Sequence, residues 1–191
     1  MAAVVVASLV TVGVPFATYA ATDTKTTTVN AVIASTISMT TSGTVNLNVT
    51  PVAGGSQTSA ADTVTVSTNN TAGYVLTLAN SDAALTLASG ANTIAAHTGT
   101  QAVSTALANN SWGYHVDGIG SFGTGGAVES NVTTSAIKYA GVPASGVPNT
   151  IKTTATTASG DTTSVYYAVK ADTTKPAGTY TDTVTYTATT N

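Results

Sequence analysis

The chain has 191 residues, 42% of them hydrophobic and only 7% charged, with a net charge of -3; this is the size of one domain able to bury a core, with far less charge than the ~25% of ordinary proteins. It has no arginine, and its five lysines, Lys25, Lys138, Lys152, Lys170 and Lys175, are scattered, so no basic stripe can follow a phosphate backbone and nucleic acid is excluded as a partner. The absence of cysteine removes disulfides, thiolate metal sites, cysteine nucleophiles and a lipid-anchor cysteine together.

The apolar run Ala2 to Val14 is broken by Pro15, and Thr18-Tyr19-Ala20 followed by Ala21 has the small residues of a cleavage site. Residues 1–20 therefore read as a secretory signal peptide, although no basic residue precedes the run. A membrane span needs ~20 apolar residues, and this run is cut short. The expected mature chain starts near Ala21, is extracellular and has no membrane partner after cleavage of the leader.

Residues 21–28 form a polar, threonine-rich lead-in. Val29 to Met39 is expected to be a first strand of mixed pattern, in its own sheet or completing a neighbour's. Thr44 to Thr50 alternates cleanly, with Val45, Leu47 and Val49 on one face and Asn46 and Asn48 on the other, before Pro51 ends it. Asp62 to Ala79 reads as a hairpin: Val64 and Val66 share one face of its first strand, and Tyr74, Leu76 and Leu78 one face of its second. Asn69, Asn70 and Gly73 supply the turn.

Short strands are expected at Ala84 to Leu87 and Asn92 to Ala95, and Thr100 to Ala108 has helix-compatible alanines. Trp112, Tyr114 and Val116 share a strand face. The glycine-dense Asp117 to Gly126 follows as a loop, matching neither a phosphate loop nor a dinucleotide fingerprint. Ala136 to Tyr139, Thr150 to Thr157, Thr162 to Ala171 and Thr179 to Thr189 complete the set. In the last two, Val165, Tyr167 and Val169, and then Tyr180, Val184 and Tyr186, share a face. Short strands with turn signals between them predict an all-β fold, an antiparallel β-sandwich of about eight to ten strands, as a single domain over residues 29–191.

The chemical inventory points away from catalysis. A hydrolytic triad needs a histidine base, and His97 and His115, the only two, lack a nucleophile motif and read as surface or loop residues. Glu129 and the aspartates fall mostly at turns, where they satisfy backbone donors; a calcium site near Asp117 and Glu129 is the weaker reading. Nothing favours a lysine to asparagine crosslink from Lys138 or Lys170. Trp112 and Tyr114 read as core residues in preference to a sugar-stacking platform. No enzyme, catalytic residue, cofactor or metal is expected.

Gly73-Tyr74-Val75-Leu76-Thr77-Leu78 resembles the first signature of the WxL surface domains of Gram-positive bacteria, with tyrosine in place of tryptophan. Pro176-Ala177-Gly178-Thr179-Tyr180-Thr181-Asp182-Thr183-Val184-Thr185-Tyr186 resembles the closing motif of that family, and also the end of spore coat U-type and fimbrial domains. The first resemblance implies noncovalent attachment to the cell wall, with Tyr74, Leu76, Tyr180 and Tyr186 at motif positions. The second implies a structural or adhesive filament subunit. The expected function is a secreted, non-catalytic cell-surface module whose partners are a cell-wall polymer or other surface proteins, including itself. The alternatives are a carbohydrate-binding adhesin domain or a pilus-like subunit assembling by strand exchange.

Overall fold

The computed structural model describes Gly13 and residues 20–191. Except for Gly13 and Ala20, the expected leader lies outside the described residues. The chain divides into two units, Met1–Ile33 and Ala34–Asn191. Described residues of the first unit contain no strand and are exposed. No described helix is long and apolar enough to cross a membrane.

The second unit is all-β, with eleven strands. In chain order these are β1 (Ile37–Thr40), β2 (Ser56–Thr68), β3 (Tyr74–Asn80), β4 (Thr86–Ser89), β5 (Asn92–Ala96), β6 (Thr105–Ala106), β7 (Ser111–His115), β8 (Lys138–Tyr139), β9 (Asn149–Thr153), β10 (Ala158–Ala171) and β11 (Val184–Thr190). A six-stranded sheet has the order β1-β2-β10-β7-β5-β4, a three-stranded sheet the order β11-β3-β9, and β6 pairs with β8. The long β2–β10 ladder runs from Ser56 opposite Ala171 to Thr68 opposite Ala158, with a bulge between Ala158 and Asp161. β5 and β7 run parallel, so the large sheet is mixed where a wholly antiparallel one was expected.

The expected hairpin over Asp62 to Ala79 is not one. β2 and β3 lie in different sheets, and the turn between them is an arch. Val64 and Val66 of one sheet and Tyr74, Leu76 and Leu78 of the other are all buried in one core. An arch turns the apolar faces of both strands inward, whereas pairing would lay them side by side. The arch is tied down by its asparagines. The Asn70 side chain donates to the carbonyls of Gly73 (3.0 Å) and Asn191 (2.8 Å). Asn69 accepts from the Thr36 N–H (2.8 Å) and donates to the Ala34 carbonyl (2.9 Å), fixing the entry to β1.

Two further expectations change. The first strand is only Ile37–Thr40, so Val29 to Thr36 is not strand. Residues 44–50 make no ladder despite their alternation. The reason is that the edge of β2 beside them is occupied: the Gln57 N–H donates to the Val132 carbonyl (2.8 Å) and the Ser59 N–H to that of Glu129 (2.9 Å). Thr100 to Ala108 forms no helix and supplies only β6.

The two larger sheets share one hydrophobic core that includes Tyr114, Trp112, Ile151, Val165, Tyr167 and Val169. A polar link also joins them. Asp161 on β10 accepts from Lys152 Nζ on β9 (2.6 Å) and from the Tyr74 hydroxyl on β3 (2.8 Å). Burial pushes the Asp161 carboxyl up, but these bonds and the lysine charge outweigh it and hold the group below the usual carboxylate range.

The arch yields a stability prediction. Gly73 and Gly118 both have positive φ, +82° and +72°, but a Cβ on Gly73 would lie 2.3 Å from the Thr154 carbonyl oxygen, while one on Gly118 meets nothing within 4 Å. Gly118→Ala should cost about 1–2 kcal/mol from backbone strain alone, and Gly73→Ala clearly more. Urea unfolding of the two variants measures the difference, and equal losses would contradict the close approach.

Candidate functional site

A groove of about 770 Å³ opens into the core beside β11. Its depth is formed by inward side chains of the large sheet: Ile94, Trp112, Tyr167, Val169 and Ala171. One wall is residues 43–49, contributing Val45, Leu47 and Val49; another is the stretch from Lys175 to Asp182, continuing into Val184 and Tyr186 of β11.

The walls carry unused backbone hydrogen-bonding groups. β11 pairs only with β3 and so has one open edge. Among the described residues, no N–H of residues 44–49 meets a hydrogen-bond acceptor within the protein. This segment is held by its end and by side chains, with the Thr50 N–H donating to Asn131 Oδ1 (2.6 Å) and Thr58 Oγ1 donating to the Asn48 carbonyl (3.0 Å). Residues 44–49 alternate between exposed and half-buried, so their amides face solvent and are free to bond another chain.

Several polar groups of the lining are engaged within the fold. The Tyr167 and Tyr186 hydroxyls share a hydrogen bond (2.8 Å). Burial raises the pKa of both phenols, and the neighbouring Tyr167 and Asp62 add to the rise at Tyr186. Asp62 accepts from the Ser42 N–H (2.8 Å), Trp112 Nε1 donates to the Leu85 carbonyl (3.2 Å), and the Tyr180 hydroxyl donates to the Pro176 carbonyl (2.9 Å), bracing the turn at the rim. The lining is mixed, with apolar core side chains in its depth and threonines, asparagines, Asp62, Lys175 and Asp182 along its walls, which suits an extended segment.

The four motif residues divide into two pairs. Tyr180 and Tyr186 line the groove. Tyr74 and Leu76 are fully buried in the core and do not line it. Trp112 and Tyr114 are buried, as expected, which leaves them no exposed ring face for sugar.

Both histidines are buried, contrary to the surface positions expected for them. His97 Nδ1 accepts from the Ala108 N–H (3.4 Å), so its Nε2–H donates to Thr105 Oγ1 (2.8 Å). In that arrangement the ring cannot take a proton from the threonine. Burial also holds His97 below the usual histidine range. His115 lies between the Lys138 carbonyl and Asp117 Oδ1, 2.8 Å from each. Asp117 Oδ1 accepts in addition from the N–H groups of Gly125 (2.9 Å) and Gly126 (2.8 Å), which organises the glycine-rich loop.

Glu129 accepts from Gln57 (2.7 Å). Asp117 and Glu129 thus serve separate structural tasks, and among the described residues no group of three or more His, Asp or Glu is placed to hold a metal ion. Lys138 Nζ and Lys170 Nζ have no acidic partner within salt-bridge distance among the described residues.

Residue-by-residue reading of the sequence did not find the groove. The available signal was residues 44–50, an alternating segment whose intended partner strand cannot be identified elsewhere in the chain. In comparison with known proteins, no family model, no curated protein and no solved structure matches the chain.

The buried phenols give a pH prediction. Burial raises Tyr74, Tyr139, Tyr167 and Tyr186, and pushes Tyr114 up to about 12. The unfolded chain loses phenolic protons near pH ~10. The native state keeps them longer, so their contribution to stability is full below that pH and is lost as pH rises through the folded values. Tyrosinate absorbance at pH ~10.5 should therefore be much lower in the native protein than in denaturant. Equal absorbance would contradict the burial of these rings.

Proposed function

We propose that the chain is a secreted, non-catalytic cell-surface module: a β-sandwich lacking one strand, which binds an extended chain in its open groove and so associates with the cell wall or builds surface structures. The observation that carries this reading is the conjunction of a groove reaching apolar core side chains with unpaired backbone amides along residues 44–49 and an open edge on β11. An extended partner gains main-chain hydrogen bonds along such an edge and buries alternate side chains in the groove.

Two other features support a binding role over catalysis. Both histidines are engaged in hydrogen bonds within the fold, and carboxylates such as Asp62, Asp117, Glu129 and Asp161 are engaged by backbone or side-chain donors. The placement of Tyr180 and Tyr186 in the groove is compatible with both the WxL-like and the spore coat U-like resemblance, because the closing motif supplies one wall. A protein partner or self-assembly is favoured over a sugar ligand, since a glycan site built on stacking needs an exposed aromatic face and Trp112 is buried.

The test is sedimentation of the chain from Ala21 onward with purified peptidoglycan, alongside light scattering without it. The surface-module reading expects either co-sedimentation or large self-assembled species. A monomer that ignores wall material and remains monomeric when concentrated would refute it.

A further inference from the structure

The segment between β7 and β8 closes over the edge of β2, and it carries Glu129-Ser130-Asn131-Val132-Thr133. Asn-X-Ser/Thr, with X other than proline, is the triplet on which oligosaccharyltransferases glycosylate exported chains. Four such triplets occur here, beginning at Asn48, Asn69, Asn109 and Asn131. In a sequence this rich in threonine, serine and asparagine several arise from composition alone, so the triplet by itself selects nothing. The surroundings of each asparagine do. We propose that Asn131 is an N-glycosylation site, its side-chain amide taking an oligosaccharide as the chain is exported. This goes beyond the surface-module reading and rests on its export step, where chain and transferase meet.

A folded site must leave room for the sugar on Nδ2. Asn69 turns its Nδ2 onto the Ala34 carbonyl (2.9 Å). Asn109 donates to Asp172 Oδ2 (3.3 Å) and presses its carboxamide so closely on Gly55 that a Cβ there would lie 1.7 Å from its Oδ1. Asn48 and Asn131 are exposed, and among the described residues neither Nδ2 makes a hydrogen bond. At Asn131 the fold uses the other end of the carboxamide, Oδ1, which accepts from the Thr50 N–H (2.6 Å). Glycosylation leaves that carbonyl in place, so the modified residue keeps its structural bond.

The residue two positions earlier separates the last two candidates. It is Glu129 before Asn131, but Asn46 before Asn48. Only the Asn131 triplet therefore offers a transferase a carboxylate at that position, a charged contact for an arginine beside its peptide site. The reaction needs no redox partner. Nδ2 attacks the anomeric carbon of an oligosaccharide carried on a polyprenyl pyrophosphate. The N–C bond forms, the C–O bond breaks with its electron pair leaving on the pyrophosphate, and the Nδ2 proton passes to a base of the transferase. In the folded chain Val132 is pinned to Gln57 by reciprocal backbone bonds (2.8 and 2.9 Å), so transfer precedes docking of this segment onto β2. The sugar then stands beside Thr50, at the end of the groove wall.

The test is peptide mass spectrometry of the full chain recovered from its native cells and their medium. The peptide containing Glu129 to Thr133 should exceed its sequence mass by one oligosaccharide. Thr133→Ala, which leaves Asn131 and its bond to Thr50 in place, should lose the added mass, whereas Thr133→Ser should keep it. Glu129→Gln should lower occupancy severalfold. Thermal unfolding of each variant checks that the fold is retained.

A bare Asn131 on a chain found outside the cell without its leader would overturn the site and leave the surface-module reading standing. So would a sugar at Asn48, Asn69 or Asn109 with Asn131 bare. A chain that stays inside the cell with its leader attached and Asn131 bare would sink both.

Discussion

Three strands cannot cover the inner face of six. The larger sheet turns Val64, Val66, Val165, Tyr167, Val169 and Trp112 toward the shared core, while the smaller sheet stops at β11 on one side and β9 on the other. The remaining apolar surface is covered partly by residues 44–50 and by the stretch leading into β11, and a groove remains beside them. The open groove follows from that shortfall. The deep Trp112, Tyr167 and Val169 are already buried, so a further strand seated there would chiefly cover the half-buried Val45, Leu47, Val49, Val184 and Tyr186.

The shortfall has its origin in how the chain crosses between layers. Because β2 and β3 are linked by an arch, each contributes to a different sheet, and the Asn69–Gly73 turn becomes a junction where β1, β3, β9 and the C-terminal Asn191 all meet. The loop carrying Glu129 and Val132 then occupies the edge of β2 that residues 44–50 would otherwise use. With that edge taken, the alternating segment packs its valines and leucine against the core and leaves its amides open to solvent. Stability elsewhere thus produces the open position.

Much of the fold was legible because burial phase in a strand has a period of two. Val64/Val66, Tyr74/Leu76/Leu78 and Val165/Tyr167/Val169 all lie inward as their alternation requires, and the β4, β5, β7 and β10 regions were located from the same pattern. Pairing was not legible. Alternation says which face of a strand is buried but not which strand lies beside it, so the arch read as a hairpin, and residues 44–50 read as a paired strand when their partner edge was occupied by a loop distant in sequence. The histidines were misplaced for a related reason: His115 is satisfied by Lys138 and Asp117, and His97 by Thr105 and Ala108, contacts partly made through folding that no local motif announces. Of the groove, the closing motif was visible through Tyr180 and Tyr186, while its deep residues looked like ordinary core.

The central claim is that a strand position stands open along residues 44–49 and β11. Amide hydrogen exchange tests it most directly, measured on dilute monomer and again on concentrated, assembled protein. The account predicts rapid exchange at residues 44–49 and at the outward amides of β11 in the monomer, and strong protection of both after assembly, when an added strand takes up those donors. Protection already complete in the dilute monomer would contradict the account, because the position would then be filled within a single chain.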